Sequence, residues 1–346
     1  MPEPRFLVLR LGSLGDIVHT FPAIAALRET FPAAEIVWMT HPRWRFLVES
    51  CGLASEVRDI ETRSLSSLRK VIEGVRDVHW DAAIDYQGLW KSAALPFFGG
   101  VKRRIGFSSH TIREAGVQVL YTDRVKATTV HIADQNGELS RRAGARRIAA
   151  PLCMRVPPQD DAAVHAQLKD AGIDRFIVLS PGGGWRAKCW PAERFGALCL
   201  QIRESLGMRS VVNYGPGEED LASAVRAASG DADPLLYNGE LGPLMALLRR
   251  SSCIVGGDTG PLHLAIALGT PAVALFGPTD PARNGPYHAT PRAEGGATAP
   301  VGDDIVLRAA NSETTHTRRD QTHPSMLAID VASVFDAVRC RVGLTA

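Results

Sequence analysis

Twice along this chain, short apolar runs end in a glycine or proline loop and give way to helical spacing, and a proline-punctuated stretch separates the two series. In the first half the runs are RFLVLRL, EIVWMTH, AAIDYQG and KRRIGF, alternating with helix-like segments such as 22–30 and 65–75. After IAAPLCMRVPPQDD, residues 148–161, the series restarts with FIVLSPGGG, RSVVNYGPGE, PLLYNGELG, CIVGGDTG and PAVALFGPTD. Strands alternating with helices form a parallel sheet wrapped by those helices. At 346 residues the chain is also longer than a single core usually serves. It therefore reads as two open α/β domains, 1–157 and 158–325, followed by SMLAIDVASVFDAVRCRV, whose amphipathic spacing predicts a closing helix within 326–346. The polar stretch from Pro291 to Ser325 reads as a long surface loop.

Open α/β sheets bind ligands at the carboxyl ends of their strands, where both series place their glycine loops. Two such edges facing each other would make a cleft, and function is expected there. The 45% hydrophobic and 22% charged composition is that of a soluble globular protein, without a signal segment or an apolar run near membrane length. A cytoplasmic enzyme is the first expectation. Six cysteines without a C-x-x-C pair argue against a disulfide framework and a structural zinc. His316 and His323 stand at no metal-ligand spacing, so no metal site is expected. Residues 1–160 carry 22 Lys and Arg against 17 Asp and Glu, while the remainder carries 17 against 20. The basic half suits an anionic partner, or is simply a solvated surface. It lacks the aromatic interleaving of a nucleic-acid platform.

The first glycine turn, in RLGSLGDIVHT, has the shape of a phosphate loop, yet it places Asp16 where such a loop carries Lys and Ser or Thr. A carboxylate there suits the helix dipole but repels phosphate, so Asp16 is either a cap or a base. In CIVGGDTGPLH, a buried strand delivers Asp258, Thr259 and Gly260 to a helix start, with Pro261 at the first helical position and His263 a turn on. Free backbone N–H groups and a hydroxyl at a positive helix end make an anion site, although Asp258 or Thr259 could merely cap the helix. Lys188, in GGGWRAKCWP, is placed to meet a phosphate, and Trp185 and Trp190 border a base or belong to the core. Glu218 or Glu219 follows a strand and turn, where an acid accepts from ribose hydroxyls or complements a helix dipole. In the basic half, Gln87 and Lys91 of DYQGLWKSA, with Arg113, Tyr121 and His131, are candidates for a second substrate.

Together RLGSLGDIVHTFPAIAAL, DYQGLWKSA, RIGF, REAGVQVLY, HIADQN, KCWPAERF and DTGPLHLAIALGTPAVALFGPTDPARNGPY resemble glycosyltransferase family nine, the ADP-heptose:lipopolysaccharide heptosyltransferases. The resemblance runs from Phe6 to Val338 and is nearest the heptosyltransferase I branch, which adds heptose to Kdo on lipid A. It implies a GT-B fold: two Rossmann-like domains facing across a cleft, acceptor on the first, sugar nucleotide on the second, and a final helix crossing back to the first domain. It also implies inverting, metal-independent transfer without a cofactor, ADP-heptose being a substrate. By position, Asp16 matches the general base and Lys188 the lysine at the donor phosphates. Ser13, Gly15, Glu218, Glu219, Asp258, Thr259, Gly260 and His263 carry over to the donor, and His19, Gln87, Lys91, Arg113 and His131 to the acceptor. The implied partner is an anionic lipopolysaccharide precursor, with peripheral association at the inner face of the inner membrane left open. Another nucleotide sugar or glycan acceptor, a GT-B-like sugar-nucleotide epimerase and a non-catalytic nucleotide-binding protein remain alternatives. Many relatives have a cysteine-rich stretch before the last helix, where this chain has NSETTHTRRDQTHPS.

Overall fold

The computed structural model describes residues 3–60, 65–108, 111–150, 152, 154–287, 304–310, 312–315 and 320–343. They divide into two compact units, one running to Arg155 and the other from Val156 onward, so the boundary falls inside the proline-punctuated stretch.

The first unit holds a six-stranded sheet of β1 (Arg5–Leu9), β2 (Glu35–Thr40), β3 (Glu56–Asp59), β4 (Ala82–Asp85), β5 (Arg104–Phe107) and β6 (Asp123–Val125), in the order β3-β2-β1-β4-β5-β6. Every neighbouring pair is parallel. The central strands are covered on both faces, which is why they read as continuous apolar runs rather than alternating ones. Leu7 and Leu9 of β1 pack with Val37, Met39, Ala83, Val75, Trp80 and Leu95 in one such layer. The edge strands EVRD and DRV are short and polar and gave no apolar run to read, and backbone pairing to β2 and β5 defines them.

The second unit repeats the plan with β7 (Phe176–Ser180), β8 (Arg209–Asn213), β9 (Leu235–Tyr237), β10 (Cys253–Gly257), β11 (Ala272–Phe276) and β12 (Ile305–Arg308), in the order β12-β11-β10-β7-β8-β9. All residues of β7, β10 and β11 are buried. In each unit the first strand lies beside the fourth. The connections leave that pair in opposite directions, which opens a crevice at the strands' carboxyl ends.

One expectation is corrected. The segment 291–325, read as a loop, contributes β12, paired in parallel with β11, and the helix Pro324–Leu327. Residues 291–303, 311 and 316–319 of that segment, His316 among them, lie outside the described residues. The final helix, Val331–Arg341, is part of the second unit's core. Its Val334, Ala337 and Val338 pack with Cys253, Val255, Val273 and Leu275. Its lead-in is fastened to the same unit, because the Trp190 indole donates to the Ile329 carbonyl at 2.9 Å and Arg194 donates to the Leu327 carbonyl at 2.7 Å.

Candidate active site

In the first unit the crevice lies between β1 and β4. The chain leaves β1 through Arg10, a cation at the end of a buried strand, then turns through Gly12 and Ser13 into the short helix Leu14–Val18. Arg10 is 1% exposed and donates through Nη1 to the Tyr86 carbonyl beyond β4. Its Nη2 lies 2.9 Å from Asp16 Oδ1. From the other side Arg113 Nη2 lies 2.8 Å from both Asp16 oxygens. The Ser13 N–H and hydroxyl each donate to Oδ2 at 3.2 Å. Burial alone would raise the carboxyl's pKa, but the two guanidinium charges and these hydrogen bonds outweigh it and hold Asp16 well below the usual carboxylate range.

The loop after β4 is organised by a second carboxylate. Asp85 is fully buried and accepts from Tyr121 Oη at 2.7 Å, Ser92 Oγ at 2.8 Å and the Gln87 and Gly88 N–H groups at 2.9 and 3.1 Å. Burial pushes its pKa up, and those donors oppose the rise. Gln87, proposed above for the acceptor, is 5% exposed and accepts the Leu11 N–H at 2.8 Å, which ties the two crevice loops together. His19 and His131 are buried and meet edge to face, and His131 Nδ1 caps the helix Ile132–Ala143. Lys91 is exposed on the helix Trp90–Phe98. Of the acceptor candidates, then, Arg113 reaches Asp16, Gln87 serves the loop, and the two histidines form a buried pair.

In the second unit the crevice lies between β7 and β10. β10 delivers Asp258 and Thr259 to the helix Gly260–Ala267, in which Pro261 is the second helical residue. Lys188 Nζ donates to the Asp258 carbonyl at 2.6 Å and to Oδ2 at 3.2 Å, and His263 Nε2 lies 2.9 Å from Oδ1. Burial would raise the Asp258 pKa, but the His263 hydrogen bond and the Lys188 charge hold it well below the usual range. Lys188 Nζ also sits 4.9 Å from the Trp185 ring centroid. Trp190 is core, edge-on to Phe195. Thr259 is 9% exposed, and its hydroxyl has no hydrogen-bond partner among the described residues. It stands where the Gly260 and Leu262 N–H groups have no intrahelical acceptor. An orphaned buried hydroxyl beside free N–H groups and a lysine suits an oxyanion.

Glu218 and Glu219 are separated by their surroundings. Glu219 is exposed in the first turn of its helix, whereas the Glu218 carboxylate accepts the Gly183 N–H at 3.1 Å and the Gly215 N–H at 2.8 Å, joining two glycine loops. A Cβ at Gly182 would overlap that carboxylate and displace it from the two N–H groups. Among the described residues there is no group of three or more His, Cys, Asp or Glu side chains that could hold a metal ion.

Sequence reasoning missed Arg10 and Asp85. Each was signalled by a charged residue ending an apolar strand, RFLVLR and AAID, where only a partnered charge is stable.

Residues 68–299 match glycosyltransferase family 9 (heptosyltransferase). The lipopolysaccharide heptosyltransferase 1 of Escherichia coli K12 is 30% identical over 302 residues, covering 82% of this chain and 91% of that protein. Among solved structures, a family 9 glycosyl transferase from Veillonella parvula superposes with a TM-score of 0.82 at 22% identity, covering 99% and 98% of the two chains. The E. coli heptosyltransferase WaaC with ADP gives a TM-score of 0.71 at 22% identity, covering 97% and 99%.

Proposed function

We propose, for a chain that belongs to glycosyltransferase family 9, that it transfers heptose from ADP-heptose to Kdo on a lipid A-anchored acceptor of the lipopolysaccharide inner core, with inversion and without metal or cofactor. The observation that carries the donor side is the orphaned Thr259 hydroxyl beside Lys188 at the start of the Gly260 helix. A leaving diphosphate needs donors aimed at the charge it develops, and this cluster offers a hydroxyl, backbone N–H groups and an ammonium. A heptosyltransferase of the same fold holds ADP. Glu218, already fixing two glycine loops, has lone pairs left for ribose hydroxyls.

On the acceptor side, Asp16 takes the proton of the attacking hydroxyl as the new bond forms at the anomeric carbon and the bond to ADP breaks. An ion-paired carboxylate is a weak base. Arg10 is locked in the core, whereas the Arg113 side chain is 45% exposed and is the partner an anionic acceptor group draws away, which restores basicity to Asp16.

Product analysis with labelled ADP-heptose and Kdo-bearing lipid A in EDTA tests the reading. A heptosylated lipid of inverted anomeric configuration is expected. Transfer only from another nucleotide sugar, only to another glycan, or only with added divalent metal overturns the corresponding part.

A further inference from the structure

The helix Trp90–Phe98 follows directly on the Asp85–Gly88 loop and is apolar on both sides. Its inner side, Ser92, Ala93, Leu95 and Pro96, is buried, with Ala93 packed on Val117 and Tyr121. Its outer side carries Trp90, Lys91, Ala94, Phe97 and Phe98, which fall within an arc of about 120° at 3.6 residues per turn. Trp90 is 46% exposed, Phe97 39% and Phe98 57%, and Val119, on the turn against which this helix packs, is 59% exposed. The two phenylalanine rings meet edge to face at 5.2 Å, and Trp90 lies over Gly116 at the start of that turn. Neighbouring large apolar side chains exposed in this way mark an interaction surface.

Cations rim it. The Arg104 guanidinium sits 5.3 Å from the Phe97 ring centroid, Arg76 donates to the Phe98 carbonyl at 3.0 Å, and Lys91, at the start of the helix, and Lys102, four residues past Phe98, are exposed. Glu114, an acidic neighbour, is engaged by the Trp90 N–H at 2.7 Å, and Asp77 follows Arg76 at the rim. Aromatic side chains ringed by Lys and Arg match the acyl boundary and the phosphates of an anionic bilayer. A two-fold contact between copies of the chain would instead set like charges against each other.

We propose that this face, the outer side of the Trp90–Phe98 helix with Val119 and its basic rim, docks the protein on an anionic lipid surface. The proposal deepens the reading of the acceptor as lipid-anchored and rests on it for its purpose, though not for its test. Docking here sets the Asp85–Gly88 loop, which this helix follows in the chain, near the bilayer surface.

The test is flotation of the full chain with phosphatidylethanolamine vesicles containing phosphatidylglycerol, no acceptor present, alongside transfer to a water-soluble, deacylated Kdo acceptor. Phe98→Ser with Val119→Ser changes two residues that are more than half exposed and keeps the fold. We expect the bound fraction of this variant to fall roughly tenfold or more while the rate on the soluble acceptor is unchanged. Lys102→Glu, which reverses one exposed charge, weakens binding and lowers its salt dependence. Wild-type protein that stays off the vesicles overturns the proposal. So does a double variant that binds as before, or one that loses self-association instead of lipid binding. Vesicle binding without heptosyl transfer would sink the proposed reaction and leave the docking face standing.

Discussion

Asp16 and Asp258 are the same kind of group in matching folds, and the difference between them lies in who holds them. Each is a largely buried carboxylate at a crevice loop, held well below its ordinary pKa by two cationic or hydrogen-bonding partners. Asp258 is enclosed on both sides, since the side chains of Lys188 and His263 are 13% and 5% exposed. Asp16 is enclosed on one side, with Arg10 at 2% and Arg113 at 45%. A carboxylate fixed by two buried partners orients them. One fixed by a buried and an exposed partner can be released by moving a single side chain. The first arrangement suits positioning and the second suits proton transfer.

The comparison breaks most visibly at Asp16→Asn, which keeps the size of the side chain but gives up one acceptor oxygen and the charge, and cannot accept a proton near neutral pH. Turnover should fall by about 10² to 10⁴ with ADP affinity close to wild type, and stability should fall as well because the buried Arg10 loses its counter-charge. Near-normal turnover would make both carboxylates structural. Asp258→Asn should instead act on stability, lowering it by on the order of 3 kcal/mol in a denaturant titration because Lys188 loses its buried counter-charge. Its pH dependence has a sign. Folding lowers the Asp258 pKa, so the wild-type stabilisation is complete above the ordinary carboxylate value and is lost as pH falls toward the folded one, whereas the variant lacks that loss. A variant as stable as wild type would remove the enclosed arm of the comparison.

Lys188→Ala should lower turnover by roughly 10² and weaken ADP about tenfold by calorimetry in EDTA, as loss of a charged donor to the leaving group requires. Unchanged affinity would leave the lysine a partner of Asp258 only. The smallest effect sharpens the contrast. Arg113→Ala removes one positive neighbour, so the Asp16 pKa rises and the acid limb of kcat/KM moves to higher pH, while KM for the acceptor increases and ADP affinity holds. An acid limb that stays in place would show that Arg113 does not hold Asp16.

The parallel sheets were legible because strands buried on both faces write themselves as unbroken apolar runs, as in FIVLS and AVALF. The edge strands EVRD and DRV were not, since their identity lies in backbone pairing to a neighbour and not in their own side chains, and IVLR was passed over because its short apolar run sits inside a polar stretch. The glycine loops and the carboxylate or lysine in each could be read from spacing. Pairing across long sequence separations could not: nothing in RLGSLGD announces that Arg113 will meet Asp16, 97 residues away. Gln87 misled for a related reason, because a polar side chain at a strand end can equally face a ligand or satisfy the backbone of the adjoining loop, and here it takes the Leu11 N–H.

The closing helix limits how the second unit can be isolated. Because Val334, Ala337 and Val338 fill the layer beneath β10 and β11, a fragment cut at the apparent end of the second strand series would leave that face of the sheet bare and the Trp190 indole without its carbonyl. A stand-alone fragment of the second unit has to run from Val156 through the helix Val331–Arg341. A reporter fused upstream of that helix would separate the fragment from its own foundation.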